Sequence, residues 1–106
     1  MHKLLSLSNF NDISEENKTV IIKVGADWCS PCKLINPLYH QFAEKNNNVN
    51  IIFTEINTSD ADEELLDFID VKSLPTFLIY KNKELKNTII GADKFILSEC
   101  INNLVI

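Results

Sequence analysis

Two cysteines three positions apart, Cys29 and Cys32, lie in the hexapeptide Trp28-Cys29-Ser30-Pro31-Cys32-Lys33, just after the apolar run Val20-Ile21-Ile22-Lys23-Val24. This places two thiols one helical turn apart at a strand-to-helix junction, where backbone N–H groups and the helix dipole stabilise a thiolate. The pattern points to redox chemistry rather than packing. The same spacing is half of a zinc site, but zinc takes four ligands and the remaining Cys100, His2 and His40 offer no second pair, so no metal is expected. Cys100 shares a helical face with Leu97, Ile101 and Leu104 and is expected to pack.

The elements that must hold these thiols can be read from hydrophobic spacing. Leu4 and Leu5 suggest a short first strand, and a helix is predicted near Ser8 to Glu16 with Phe10 and Ile13 on its inner face. The β-branched run Thr19 to Val24 predicts a central, parallel strand. Pro31 then falls in the first turn of a helix, where its missing N–H costs nothing. That helix continues through Leu34, Ile35, Leu38, Phe42 and Ala43 as one apolar face, with Pro37 inside it, and Asn46 to Asn48 end it.

Val49 to Ile56 predicts the next strand, and Ala61 to Ile69 an acidic helix burying Leu65, Leu66 and either Phe68 or Ile69. Thr76 to Tyr80 and Glu84 to Ile90 form a predicted hairpin turning at Asn82-Lys83, and a last helix spans about Lys94 to Leu104. The order implies an α/β fold: a mixed central sheet of four to five strands flanked by about four helices. An active site is expected beyond the carboxyl end of a central strand, where Cys29 stands.

At 106 residues, residues 1–106 are expected to form a single domain with its own core. A net charge of −5 argues against nucleic acid and anionic membranes as partners, because both need a positive face. The opening residues Met1 to Leu7 are too short and too polar for a signal-peptide core, and no stretch approaches a membrane span. A soluble, cytoplasmic protein is therefore expected.

On these residues the chain resembles the thioredoxin family over nearly its whole length. The likeness is carried by Trp28 to Lys33, Pro37, the segment Leu74-Pro75-Thr76-Phe77 and the later Ile90-Gly91-Ala92. It implies a thioredoxin-like fold and protein-disulfide reduction, with Cys29 the exposed attacking thiolate, Cys32 the resolving thiol and a Cys29–Cys32 disulfide in the oxidised form. Ser30 and Pro31 would set the potential. Pro75 would be a cis-proline facing the disulfide, with Trp28, Leu74, Gly91 and Ala92 completing a flat client-binding groove. The family further implies no bound cofactor, recycling by a thioredoxin reductase using NADPH, disulfide-containing client proteins and a monomer.

One departure stands out. Most members carry a buried acid six residues before the first cysteine, and Lys23 occupies that position here. A buried, charged Lys23 would favour the thiolate and make the pair more oxidising, and Glu55 on the neighbouring strand could neutralise it as a buried ion pair. The bland alternative is that Lys23 snorkels to solvent. Ser30 stands in place of the family's usual glycine, and Lys83 in place of a turn glycine, so a different hairpin turn is expected. Two other functions remain open: a disulfide oxidase or isomerase, and a thioredoxin-fold binding subunit whose thiols are incidental.

Overall fold

Val20, Ile21, Ile22 and Val24 are wholly excluded from solvent, so this stretch of β-branched residues is an interior strand covered on both faces. The computed structural model describes residues 1–104. It builds β1 (His2–Lys3), α1 (Leu7–Ile13), β2 (Thr19–Gly25), α2 (Ser30–Lys45), β3 (Ile51–Asn57), α3 (Glu63–Ile69), β4 (Thr76–Lys81), β5 (Glu84–Ile90) and α4 (Lys94–Leu104). The strands form one mixed sheet in the order β1-β3-β2-β4-β5. Strand β2 is central as predicted, but parallel only to β3; against β4 it runs antiparallel.

Alternation along β2 divides the core in two. Val20, Ile22 and Val24 meet Phe10 of α1 and Leu65 and Ile69 of α3 on one face. Ile21 points the other way, into a cluster with Ile35 and Tyr39 of α2 and Leu97 and Ile101 of α4. Tyr39 is fully buried and its hydroxyl donates to the carbonyls of Thr54 at 2.7 Å and Ile21 at 3.1 Å, tying α2 to both central strands.

Burial raises the Tyr39 pKa well above the ordinary tyrosine value. The native state therefore stays protonated where the unfolded chain ionises, and stability should fall as pH rises above about 10. Tyr39→Phe is expected to cost about 1–2 kcal/mol at neutral pH, by stranding buried acceptors, and to flatten that alkaline loss. Urea unfolding at neutral and alkaline pH checks both.

Several boundaries differ from the periodicity. The first strand is His2–Lys3 rather than Leu4 and Leu5, because Ser6 starts a capping box with Asn9, whose side chain also accepts from the Leu5 and Ser6 N–H groups and turns the chain out of the sheet. Helix α1 stops at Ile13, before the left-handed Asn17. In α2 the buried positions are Cys32, Ile35 and Tyr39, and Leu34 is exposed on the opposite face. Strand β3 begins at Ile51, leaving Val49 in solvent, and α3 begins after the Asp62 cap with Ile69, not Phe68, buried. The hairpin turns at Asn82-Lys83 as predicted, yet Lys83 keeps the left-handed backbone that glycine would favour, with φ of 53° and 65° at the two positions.

Candidate active site

Strand β2 ends at Gly25, and the chain passes through Ala26, Asp27 and Trp28 to Cys29, the N-cap of α2. Cys29 and Cys32 are joined by a disulfide with Cα atoms 5.3 Å apart, and the Cys32 N–H donates to Cys29 Sγ at 3.3 Å. A sulfur held at the N-terminus of a sixteen-residue helix is in the right place to carry negative charge once reduced. Ser30 and Pro31 lie exposed between the two cysteines.

Cys29 is less open than expected. In the closed disulfide it is only 5% exposed and Cys32 2%, because both pack with Ala26 and Leu74. The exposed group here is Trp28, at 74%.

The Leu74-Pro75 peptide is cis, which sets buried Pro75 at the head of β4 and Leu74 against the sulfurs. The Gly91 N–H donates to the Pro75 carbonyl at 2.9 Å, bringing the end of β5 to the same rim. Gly91 has φ of 97°, a conformation that side chains rarely adopt, so glycine has a backbone reason to be there. Ala92 turns inward, against the cluster beneath α2 and α4. Leu74 and Pro75 are thus joined to Gly91, with Leu74 against the disulfide, while Ala92 faces the core.

Behind Cys32 the arrangement departs from expectation. Lys23 is 5% exposed and does not snorkel. It sits opposite Glu55 in the parallel register, yet among the described residues no ion pair joins them. Lys23 Nζ instead donates to Asn36 Oδ1, while the Glu55 carboxylate meets His40 Nε2 at 3.2 Å. The reason is the helix: Cys32, Asn36 and His40 recur every fourth residue on one face of α2, so each charge finds a partner there before reaching the other. Burial lowers the Lys23 pKa below the ordinary lysine value, and the nearby Glu55 charge only partly opposes this.

These side chains line a cavity of about 260 Å³ that reaches from Lys23 and Gly25 past Cys32 and Asn36 to Glu55 and His40. Asn36, His40 and Gly25 were not singled out as site residues from the sequence. For Asn36 and His40 the four-residue spacing from Cys32 was the available signal; Gly25 carried none.

Residues 2–103 match the Thioredoxin family model. The chain is 37% identical over 105 residues to a thioredoxin of Gallus gallus, covering 94% of this chain and 97% of that protein. It is 37% identical over 89 residues to a thioredoxin of Homo sapiens, covering 84% and 82%. Among solved structures, that of Plasmodium falciparum thioredoxin superimposes with a TM-score of 0.85 at 28% identity, over 97% of this chain and 98% of that one.

Proposed function

Because the chain belongs to the thioredoxin family and is a protein-disulfide reductase, we propose that Cys29 is its nucleophile and Cys32 its resolving thiol. The single observation that carries these roles is the placement of Cys29 as the N-cap of α2 with Cys32 one turn inside. In the reduced protein, Cys29 thiolate attacks one sulfur of a client disulfide; the Cys29–client bond forms and the client S–S bond breaks, releasing a client thiolate. Cys32 thiolate then attacks Cys29 Sγ, closing the Cys29–Cys32 disulfide and expelling the second client thiolate. The client gains two electrons and this chain loses them.

Trp28, Leu74, Pro75 and Gly91 serve as the client-facing rim, with Ala92 supporting it from the core side and Leu74 supplying main-chain groups to an extended segment. Ser30, Pro31, Lys23, Glu55 and Pro75 tune the pair. Oxidised protein is recycled by a thioredoxin reductase drawing on NADPH, and this chain carries electrons from it to client proteins as a monomer. A dithiol donor of this kind needs a compartment that keeps thiols reduced, which supports a cytoplasmic location. Among the described residues no helix is long and apolar enough to cross a membrane.

The test is the equilibrium reduction potential of Cys29–Cys32, by thiol alkylation and mass spectrometry across dithiothreitol and glutathione buffers. A value near −270 mV, roughly that typical of thioredoxins, is expected. A value near about −180 or −120 mV, where isomerases and oxidases work, would overturn the reductant role.

A further inference from the structure

The cavity behind the disulfide reaches one of its two sulfur-bearing residues and not the other: Cys32 lines it and Cys29 does not. Its lining runs from exposed side chains, Lys3, Asp27, Lys33 and Asp60, to the buried Lys23 and Cys32, so it connects solvent with the inner cysteine. Gly25 keeps the inner end open. A Cβ built on it would lie 3.1 Å from Cys32 Sγ, closer than an ordinary contact, and 3.6 Å from Lys23 Nζ. About 260 Å³ is room for roughly eight waters at ~30 Å³ each, enough for a two- or three-carbon molecule and too little for a protein segment.

The inner end also lacks an anion. Lys23 is 5% exposed, its hydrogen-bond partner among the described residues is the neutral Asn36 amide, and the Glu55 carboxylate opposite it in the register is engaged by His40. An ammonium has three N–H donors, and Asn36 takes one. Burial disfavours such a charge, and a small anion entering the cavity would supply what the fold does not. The other charged groups lining the cavity are Lys3 from β1, Asp27 after β2, Lys33 and His40 from α2, Glu55 from β3 and Asp60 beyond it.

We propose a further activity for this cavity: it admits small anionic thiols, of the mercaptoacetate kind, which bind against Lys23 and open the Cys29–Cys32 disulfide from behind, at Cys32 Sγ. The small thiolate forms a bond to Cys32 Sγ, the Cys29–Cys32 bond breaks, and Cys29 leaves with the electron pair. Cys29 is the favoured leaving group because its sulfur caps α2, where a thiolate is stabilised. A second small thiolate attacks the small-thiol sulfur of the mixed disulfide, forming a small disulfide and expelling Cys32 thiolate, which takes a proton from water. The protein gains two electrons and the two small thiols lose them. This route depends on the disulfide and the cavity, not on which cysteine attacks clients.

The experiment mixes oxidised protein with mercaptoacetate, with cysteamine, which is as small but cationic, and with the bulkier tripeptide thiol glutathione. Opening of the disulfide is followed in a stopped-flow instrument by the fluorescence of Trp28, the one tryptophan, which adjoins Cys29. Samples quenched early are alkylated with N-ethylmaleimide, and tandem mass spectrometry reads which cysteine carries the small thiol and which the maleimide. Gly25→Ala sets a methyl group against Cys32 Sγ and closes the route at its inner end.

Expected is mercaptoacetate on Cys32 with maleimide on Cys29, and glutathione on Cys29. Gly25→Ala should slow opening by mercaptoacetate at least about fivefold and leave glutathione within about twofold of the parent. Per thiolate, cysteamine should be at least about threefold slower than mercaptoacetate, although a chain of net charge −5 would by itself favour the cation. Mercaptoacetate found on Cys29 in the parent, an unchanged mercaptoacetate rate in Gly25→Ala, or cysteamine faster than mercaptoacetate would each overturn the proposal. If Gly25→Ala does not fold, the position of the adduct in the parent decides.

Discussion

A Cys32→Ser protein will stop at the mixed disulfide, with its client held on Cys29 in close to stoichiometric yield, and client turnover will fall by several orders of magnitude. Serine is nearly the size of cysteine, so it fits where Cys32 is 2% exposed and close to the Gly25 backbone. Its hydroxyl cannot displace the client sulfur, because an alcohol neither ionises in this range nor forms the S–S bond. Non-reducing electrophoresis and intact mass, before and after dithiothreitol, read the adduct directly. A Cys32→Ser protein that turns clients over like the parent would remove Cys32 from the resolving role. A Cys29→Ser, Cys32→Ser protein that still performed its biological task would mean that the fold serves as a binding subunit.

The second large effect is on stability. Phe10 is 1% exposed and meets Phe68 at 5.2 Å between ring centroids and Tyr80 edge-on at 4.9 Å. It is the one fully buried side chain of α1, a helix too short to persist without packing. Phe10→Ala should cost about 3–5 kcal/mol, a large share of the roughly 5–15 kcal/mol available to a domain. The melting temperature should drop by roughly 12 °C or more. Phe10 packs with Leu4, Leu65 and Ile69, while the disulfide sits in a separate cluster with Ala26 and Leu74. Disulfide reduction well below the transition should therefore stay within about twofold of the parent. A cost under about 1 kcal/mol by urea unfolding would show that α1 is not anchored by this ring.

Much of this molecule is legible in local chemistry. The β-branched run of β2, the proline just inside α2, the two strands around Asn82-Lys83 and the acidic start of α3 each satisfy a short-range rule, and each forms close to where that rule puts it. Cys29 capping α2 follows from the same local logic, since the strand, the turn and the helix are adjacent in sequence. Boundaries were less legible where a side chain competes for the backbone. Asn9 ends the pairing of β1 that Leu4 and Leu5 alone would have extended.

The partners of Lys23 are another matter. Position and strand register place it beside Glu55, and from sequence the two charges could pair or Lys23 could snorkel to solvent. Which group lies closest depends on how α2 crosses the sheet, and that crossing presents Asn36 to Lys23 and His40 to Glu55. The size of residue 25 matters only because Cys32 and Lys23 converge on it from a helix and a strand. Sequence by itself determined the dithiol, its helix and the succession of strands and helices along the chain, because these are written in spacings of a few residues. Tertiary structure alone decided which charge faces which sulfur, because side chains brought together by packing carry no local signature of one another.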